Sequence, residues 1–150
     1  MSTAQPTDPA QRRALDAYVK LRRAVNALQA SEAETLRGAG LTESQFAVLE
    51  AIHHRGAMCQ KDLAAKILKS AGNLTTVIGN LERDGLVVRR RAEHDRRVLT
   101  VDLTDRGRRL IRSVFPRHAA VLTCAFAVLE PAEQERLAEL CKRLGTQSRG

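Results

Sequence analysis

A change in the spacing of apolar residues past the middle of the chain restricts the fold more than any other feature. Across residues 71–84, apolar side chains recur at the i, i+3, i+4 and i+7 spacing of one helical face (Leu74, Val77, Ile78 and Leu81). Residues 86–88 then form a short apolar segment, and residues 98–103 alternate apolar and polar side chains. This change of period predicts a helix followed by a two-stranded hairpin, with its loop at about 93–97.

Capping signals indicate further helices on both sides of this segment. Thr42 and Gln45 have the spacing of a capping box, and a short helix is expected at about 60–68. Thr104 is expected to cap a long helix, and Pro131 to open a last one.

The resulting order is four helices, a hairpin and two helices. It predicts a mainly α fold with a winged helix-turn-helix DNA-binding domain at 41–104 and its wing at 86–103.

The outer helices carry narrow apolar seams. Within 11–37 and again within 105–147, apolar residues recur at alternating steps of three and four. A seam that narrow is suited to lying against other helices rather than to filling a broad core. We therefore expect 11–37 and 105–147 to be dimerisation helices within a single domain of 11–147, preceded by a disordered arm at 1–10.

Basic residues are concentrated in the middle of the chain. The 150 residues carry a net charge of +8, and residues 55–110 hold 13 lysines and arginines against 7 acidic residues. Such a block is typical of a protein that binds a polyanion, most often nucleic acid, and charge that serves solubility is the alternative. No apolar run approaches the roughly 20 residues of a membrane span, and the first residues are polar. We therefore expect a cytoplasmic protein without membrane association.

The side of the 71–84 helix opposite its apolar stripe has an unusual composition. It carries Thr76, Gly79, Asn80 and Arg83, where a surface helix normally favours Glu and Lys. Small polar side chains allow a helix to lie deep in a major groove and to hydrogen-bond base edges and phosphates. We expect this face to bind double-stranded DNA, with a solvated charge as the alternative for Arg83.

Five arginines lie on and between the two predicted strands. The run at 89–91 alternates faces along a strand, so Arg90 points away from its two neighbours, and a solvated charge explains it as well as a phosphate contact does. Arg96 and Arg97 lie in the loop. Asp95 can hold the Arg97 guanidinium extended, as entry into a narrow, electronegative minor groove requires.

No catalytic or cofactor motif is found. The sequence has no glycine-rich phosphate loop, no metal-ligand spacing and no nucleophile motif, so neither an enzyme nor a cofactor or metal is predicted. Its three cysteines are far apart and favour neither a disulfide framework nor a zinc site. Cys59 directly precedes the helix at 60–68, whose N-terminus would favour a thiolate. A redox-sensor role is one hypothesis for Cys59, and a small buried side chain is the other.

Four segments together resemble the MarR family of bacterial and archaeal transcriptional regulators. They are LTESQFAVL, QKDLAAKI, NLTTVIGNLERDGLVVR and DRRVLTVDLTDRG, and the similarity extends over about 11–145. ILKSAGNLTTVIGNLERDGLV and residues 114–118 are most similar to the quinone- and redox-responsive members. The resemblance implies a homodimer with interlocking terminal helices, in which the 71–84 helix enters the major groove and the wing reaches the minor groove.

The resemblance also implies which residues contact DNA. They are the positions that typically contact bases or phosphates and those of the D-x-R pair, to which we add the remaining candidate arginines: Ser70, Asn73, Thr75, Thr76, Asn80, Arg83, Arg90, Asp95, Arg96 and Arg97.

An effector site is implied as well. Small anionic or aromatic effectors of similar proteins often bind between the dimerisation helices and the winged domain. The candidates here are Tyr18, Phe46, His53, Phe115 and His118. Packing across the dimer is the alternative for Tyr18 and His118, and a histidine on an apolar seam needs a polar partner.

The predicted function is sequence-specific transcriptional regulation. We expect a dimeric repressor on a pseudo-palindromic operator with half-sites about one helical turn apart. A small aromatic or phenolic ligand, or an oxidant, would release it by changing the separation of the two recognition helices. The alternatives are a winged-helix module for protein contacts and a non-specific DNA-binding protein without an effector response.

Overall fold

The computed structural model describes residues 8–67 and 71–147. These residues form six α-helices and three β-strands: α1 (Pro9–Gly38), α2 (Glu43–Arg55), β1 (Met58–Cys59), α3 (Gln60–Ile67), α4 (Ala71–Arg83), β2 (Val87–Arg91), β3 (Leu99–Leu103), α5 (Asp105–Phe126) and α6 (Pro131–Gln147).

The chain divides into two compact units. One is Ala30–His118, and the other combines Met1–Gln29 with Ala119–Gly150. A single domain was predicted over 11–147, with internal boundaries at the ends of the outer helices. The division between the two units falls inside α1 and α5, and the single domain over 11–147 stays a prediction.

The apolar stripe of α4 lies in the core of the Ala30–His118 unit. Leu74, Ile78 and Leu81 are fully buried. They belong to one cluster with buried side chains of α2, α3, the sheet and α5, among them Leu49, Ile52, Leu63, Val87, Val101, Leu103, Ile111 and Val114. The helical spacing correctly predicted this buried face.

The sheet has three strands rather than the two predicted. Its order is β1-β3-β2, and both pairings are antiparallel. The wing hairpin pairs Val87 with Leu103 and Arg91 with Leu99, as the alternating pattern predicts. The additional strand, β1, has only two residues and pairs Met58 with Val101. A segment this short shows no alternation, so its pairing with a strand far along the chain could not be predicted.

The predicted helix caps are present. The Thr42 hydroxyl accepts from the Gln45 backbone N–H at 3.1 Å, and the Gln45 side chain accepts from the Thr42 backbone N–H at 3.0 Å. At the start of α5, Thr104 Oγ1 accepts from the Gly107 N–H at 3.0 Å and donates to the Gly85 carbonyl at 2.7 Å. The second bond fixes the start of α5 to the turn that precedes β2.

Helix α1 begins two residues earlier than predicted. Asp8 Oδ1 accepts from the Ala10 backbone N–H at 3.0 Å, and Pro9 is the first helical residue. A capping aspartate followed by proline is a strong helix start. The disordered arm predicted over 1–10 is therefore wrong for residues 9 and 10, and residues 1–7 lie outside the described part of the chain.

Apolar side chains are exposed on the helices of the other unit. On α1, Leu15 and Tyr18 are 50% and 55% exposed, and on α6, Leu140 and Leu144 are 43% and 60% exposed. These residues lie on or beside the seams identified in the sequence. None of the described helices has the length and apolar character needed to cross a membrane.

Candidate nucleic-acid interface

The exposed face of α4 consists of small polar residues. Asn73, Thr75 and Thr76 are exposed, while Gly79 and Asn80 are half-buried. Because the opposite face is fixed in the core, this row faces away from it along the length of the helix. The face offers hydroxyl and amide groups that both donate and accept hydrogen bonds, as base edges and phosphates require.

Packing within the described part of the chain does not require Gly79. A Cβ added at this position would meet no atom within 4 Å beyond the neighbouring backbone of its own helix. Glycine in a helix interior costs up to about 1 kcal/mol relative to alanine. Glycine leaves the backbone of α4 uncovered by a side chain at this position, which suits a partner that approaches the backbone closely.

Gln60 connects the start of α3 to the exposed face of α4. Its Nε2 donates to Thr75 Oγ1 at 2.7 Å, which fixes Thr75 relative to α3. Ser44 lines a cleft of about 250 Å³ together with Asn73 and Thr76. Gln60 and Ser44 could not be identified from the sequence, because the fold alone brings them to α4.

Two side chains organise the tip of the wing. Asp95 Oδ1 accepts from the Arg97 backbone N–H at 3.0 Å and from Arg97 Nε at 3.2 Å, and Asp95 Oδ2 accepts from Arg97 Nη2 at 3.3 Å. The Arg97 side chain bonds lower the pKa of Asp95, and the backbone bond lowers it further. Arg97 nevertheless remains 92% exposed, so its guanidinium is oriented but accessible, as the D-x-R pattern predicts.

Other arginines of the wing have internal partners. Arg91 Nη1 donates to the Arg96 carbonyl at 2.7 Å, which supports the loop from the strand. Arg89 Nε lies 3.6 Å from the Glu82 carboxylate. The Arg96 side chain is exposed. The arginine run therefore consists of residues with different roles, and Arg91 is a positioning residue that sequence reasoning did not single out.

The remaining predicted DNA contacts flank these elements. Ser70 lies outside the described residues. Arg83 is exposed at the end of α4, with its Nε 4.0 Å from the Asp84 carboxylate, at the limit of an ion pair. Arg90 is exposed on β2, and its carbonyl accepts from Thr100 Oγ1 at 3.2 Å.

Comparison with known proteins identifies the family. The model of the MarR family matches residues 41–99, from the approach to α2 to the first residue of β3. The HTH-type transcriptional regulator YkoM of Bacillus subtilis (strain 168) is 33% identical over 136 residues, which cover 91% of this chain and 88% of YkoM. The chain belongs to the MarR family. Its relatives are transcriptional regulators, not enzymes.

Solved structures of the MarR family share the fold. AbsC of Streptomyces coelicolor, a MarR family transcriptional regulator, superposes with a TM-score of 0.82 at 26% identity, covering 98% of this chain and 99% of AbsC. BpsR of Bordetella bronchiseptica superposes with a TM-score of 0.76 at 29% identity, covering 83% and 89%. These matches confirm the predicted winged helix fold.

Four of the five predicted effector residues lie together in the Ala30–His118 unit of this MarR-family chain. The Phe46 and His118 ring centroids are 4.4 Å apart, Phe115 lies 6.4 Å from His118, and His53 lies 6.5 Å from Phe115. His54, which was not predicted, is 4.9 Å from Phe115 in an edge-on arrangement. We call these five residues the aromatic cluster. Phe46 and His118 are buried within it.

His118 has the polar neighbour that its apolar surroundings require. Its Nδ1 lies 3.4 Å from Glu32 Oε1, and both side chains are largely buried. The contact lacks hydrogen-bond geometry, so Nδ1 is buried without a hydrogen-bond partner among the described residues. Burial raises the pKa of Glu32, and His118 opposes the shift. Sequence reasoning predicted a partner for His118 but could not identify Glu32.

Tyr18, the fifth predicted effector residue, belongs to the other unit. It lies on the exposed side of α1, where its hydroxyl accepts from Arg22 Nη1 at 3.3 Å. The Arg22 guanidinium carbon is 5.7 Å from the ring centroid. Both of these contacts lie within α1.

Cys59 lies in β1, directly before α3. It pairs with Thr100 in the sheet and is half-buried. The predicted position at a helix N-terminus is confirmed, whereas the redox hypothesis stays a prediction. The described residues contain no group of three or more His, Cys, Asp or Glu side chains arranged to hold a metal ion.

Proposed function

We propose that this MarR-family protein is a dimeric, sequence-specific DNA-binding repressor. The proposal rests on two features that occur together in this chain: a face of small polar residues on α4, and an exposed Arg97 that Asp95 orients. One element suits the major groove and the other suits the minor groove.

Helix α4 would supply the major-groove contacts. Its apolar side is fixed in the core, and its polar side presents amides and hydroxyls with Gly79 between them. We assign base or phosphate contacts to Ser70, Asn73, Thr75, Thr76 and Asn80. Their short side chains would bring the helix backbone close to the base edges.

The wing would supply the minor-groove contact. Arg97 enters the groove, Asp95 holds it extended, and Arg96 adds positive charge beside it. Arg83 and Arg90 would contact phosphates, which strengthens binding without reading sequence. A protein-interaction surface would instead favour apolar anchors at its centre.

The exposed seams support a homodimer. Leu15 and Tyr18 on α1, and Leu140 and Leu144 on α6, are apolar surface for which a second copy is the economical cover. A two-fold dimer fits a pseudo-palindromic operator with half-sites about one helical turn apart. Because a regulator of this kind acts where the DNA is, we also propose a cytoplasmic location.

A small aromatic or phenolic ligand, or an oxidant, would release the repressor. The BpsR structure concerns regulation of DNA binding by 6-hydroxynicotinic acid, and the rings of the aromatic cluster would offer stacking surfaces for such a ligand here. The similarity to quinone- and redox-responsive members, and Cys59, support the oxidant. A screen of phenols, quinones and peroxides against the preformed DNA complex identifies the effector. If Cys59→Ser leaves oxidant-induced release intact, the redox role is excluded.

Selection from random duplexes, followed by titrations at several salt concentrations, tests the proposed function. We expect one enriched pseudo-palindromic site, bound by two chains, with an affinity that falls steeply as salt rises. Equal affinity for all duplexes would indicate non-specific binding, and no binding would indicate a protein-interaction module. Either result contradicts the proposal.

Arg97→Ala tests the wing. It should weaken operator binding about tenfold or more, because the contact it removes lies in the groove rather than on the surface. Arg143→Ala removes the same charge from α6 and should change the affinity little. Equal effects of the two variants would show that Arg97 contributes only net charge.

A further inference from the structure

Three consecutive backbone carbonyls at the end of α4 are bonded to the start of α5. The Asp84 carbonyl accepts from Arg106 Nη1 at 3.0 Å. The Gly85 carbonyl accepts from Thr104 Oγ1 at 2.7 Å, and the Leu86 carbonyl accepts from the Thr104 N–H at 3.1 Å. We call these three bonds the α4–α5 joint. All three carbonyls belong to the turn between α4 and β2, so the joint holds the helix and the wing to which the DNA contacts are assigned.

The turn at the joint is also closed by its own backbone bonds. Gly85 has a φ of 74°, the left-handed conformation that commonly ends a helix. Its N–H donates to the Glu82 carbonyl at 3.0 Å, and the Leu86 N–H donates to the Leu81 carbonyl at 2.9 Å. This pair of bonds is a Schellman motif, which fixes the chain direction after the last turn of α4. A displacement of the turn therefore displaces the end of α4 as well.

Thr104 is the central residue of the joint because its hydroxyl serves both helices. It donates to the Gly85 carbonyl and accepts from the Gly107 N–H at 3.0 Å, so one side chain caps α5 and binds the end of α4. Gly107 brings the two backbones into contact, since a Cβ there would lie 2.1 Å from the Leu86 carbonyl oxygen. The start of α5 and the end of α4 are thus held at one fixed separation.

Apolar packing fixes the direction of α4 less narrowly than the joint does. The buried side of α4 makes apolar contacts through Leu74, Ile78 and Leu81, and such contacts are non-directional. A hydrogen bond weakens steeply when its angle departs from the preferred geometry. Bonds at one end of α4 therefore oppose a rotation about that end that the apolar contacts would tolerate.

A small rotation at the joint would produce a large displacement at the other end of α4. The helix has 13 residues, which span about 20 Å at about 1.5 Å per residue. A rotation of about 10° about its C-terminal end would move the region of Asn73 by about 3 Å, close to the roughly 3.4 Å rise of one base pair. In a two-fold dimer both copies of α4 would move, so the separation of the two helices would change by more than either displacement.

We propose that Thr104 is a positioning residue that sets which spacing of DNA half-sites the dimer accepts, and that Arg106 supports it. The inference rests on the proposed function, because it requires a dimer that reads two half-sites. Thr104 does not contact DNA in this role and acts through the direction of α4. Helix α5 extends from the Ala30–His118 unit into the other unit, so the joint connects α4 to a helix shared by both units.

A panel of operator duplexes measures the role of Thr104 in the full chain. The half-sites of the duplex selected from random sequence are moved one base pair closer together or further apart. We expect the wild type to bind the altered duplexes at least about tenfold more weakly than the selected one. Thr104→Val keeps a similar shape but removes the hydroxyl, and it should reduce this ratio to about threefold or less. Thr104→Ser keeps the hydroxyl and should keep the wild-type ratio.

Arg106→Gln and Arg112→Gln form a matched pair for the same panel. Both remove one exposed arginine from α5, but in the described part of the chain only Arg106 bonds to the carbonyls of 84–86. Arg106→Gln should lower the ratio, and Arg112→Gln should not. Because both side chains lie at the surface, this pair decides the question if circular dichroism shows that Thr104→Val does not fold.

The panel separates a failure of this inference from a failure of the proposed function. If Thr104→Val and Arg106→Gln weaken binding by the same factor on every duplex, the joint only stabilises the fold, and the inference is overturned. A wild type that binds all spacings equally overturns it too. A wild type that selects no sequence would contradict the proposed function, and this inference with it.

Discussion

Replacing Gly107 with alanine should destabilise the protein, although alanine is the better helix former. Gly107 lies in the first turn of α5, where the helix crosses the turn before β2. A Cβ at this position would lie 2.1 Å from the Leu86 carbonyl oxygen and 3.1 Å from its carbon. Contacts below 3.0 Å essentially do not occur, so the chain would have to separate here by about 1 Å. The obstacle is backbone, which cannot change rotamer to make room.

The expected magnitude follows from what must move. The Leu86 carbonyl accepts from the Thr104 N–H at 3.1 Å, so displacing it also weakens the bond at the start of α5. Overpacking costs about 1–3 kcal/mol, and a weakened backbone bond costs about 1 kcal/mol. The helix propensity of alanine returns up to about 1 kcal/mol. We expect Gly107→Ala to lower the free energy of unfolding by about 1–3 kcal/mol.

Urea unfolding followed by circular dichroism measures this change, with Gly79→Ala as the control. Gly79 also lies in a helix, but in the described part of the chain its Cβ would meet nothing within 4 Å beyond its own helix backbone, so alanine there should raise the free energy of unfolding by about 0.5–1 kcal/mol. The proteins are compared at one concentration, because the stability of a dimer depends on concentration. If both variants shift the free energy of unfolding in the same direction, the contact between Gly107 and Leu86 does not restrict the fold as argued.

Three further predictions concern the DNA interface and the buried carboxylate. Gly79→Ala should weaken operator binding while it stabilises the fold, and unchanged affinity in a binding titration would show that α4 does not approach DNA closely. Arg97→Gln should raise the pKa of Asp95 towards 3.8, since Arg97 side-chain bonds are the main cause of its lowering. NMR titration of the Asp95 carboxyl carbon measures this pKa, and an unchanged value would contradict the assigned cause. Glu32 stabilises the fold fully below its ordinary pKa of 4.5, and that contribution is lost as pH rises through its raised pKa. The free energies of unfolding of Glu32→Gln and the wild type are compared at about pH 4 and about pH 8. The variant should gain stability relative to the wild type at the higher pH. A difference that is the same at both pH values would contradict the assigned burial effect.

The features predicted from the sequence are those set by neighbouring residues. The capping box at Thr42, the buried stripe of α4 and the alternation of β3 depend on spacings of a few positions. The structure has the first two, and β3 buries Val101 and Leu103 but leaves Leu99 exposed. The features that were missed depend on contacts between distant segments. The bond from Gln60 to Thr75 is one, and the strand at 58–59 is another. No local pattern identifies such partners, because the fold selects them.

The arginines between 85 and 107 show what this difference means for function. In the sequence they form one basic run, and only Arg97 has a local signal, the aspartate two residues before it. The structure assigns the others by contacts that spacing does not reveal: Arg89 pairs with a carboxylate of α4, Arg91 supports the wing loop, and Arg106 bonds to the turn before β2. Charge density therefore indicated that the region binds an anion, whereas the partners of each guanidinium separate the arginines that can reach DNA from those that hold the wing loop and the start of α5 in place.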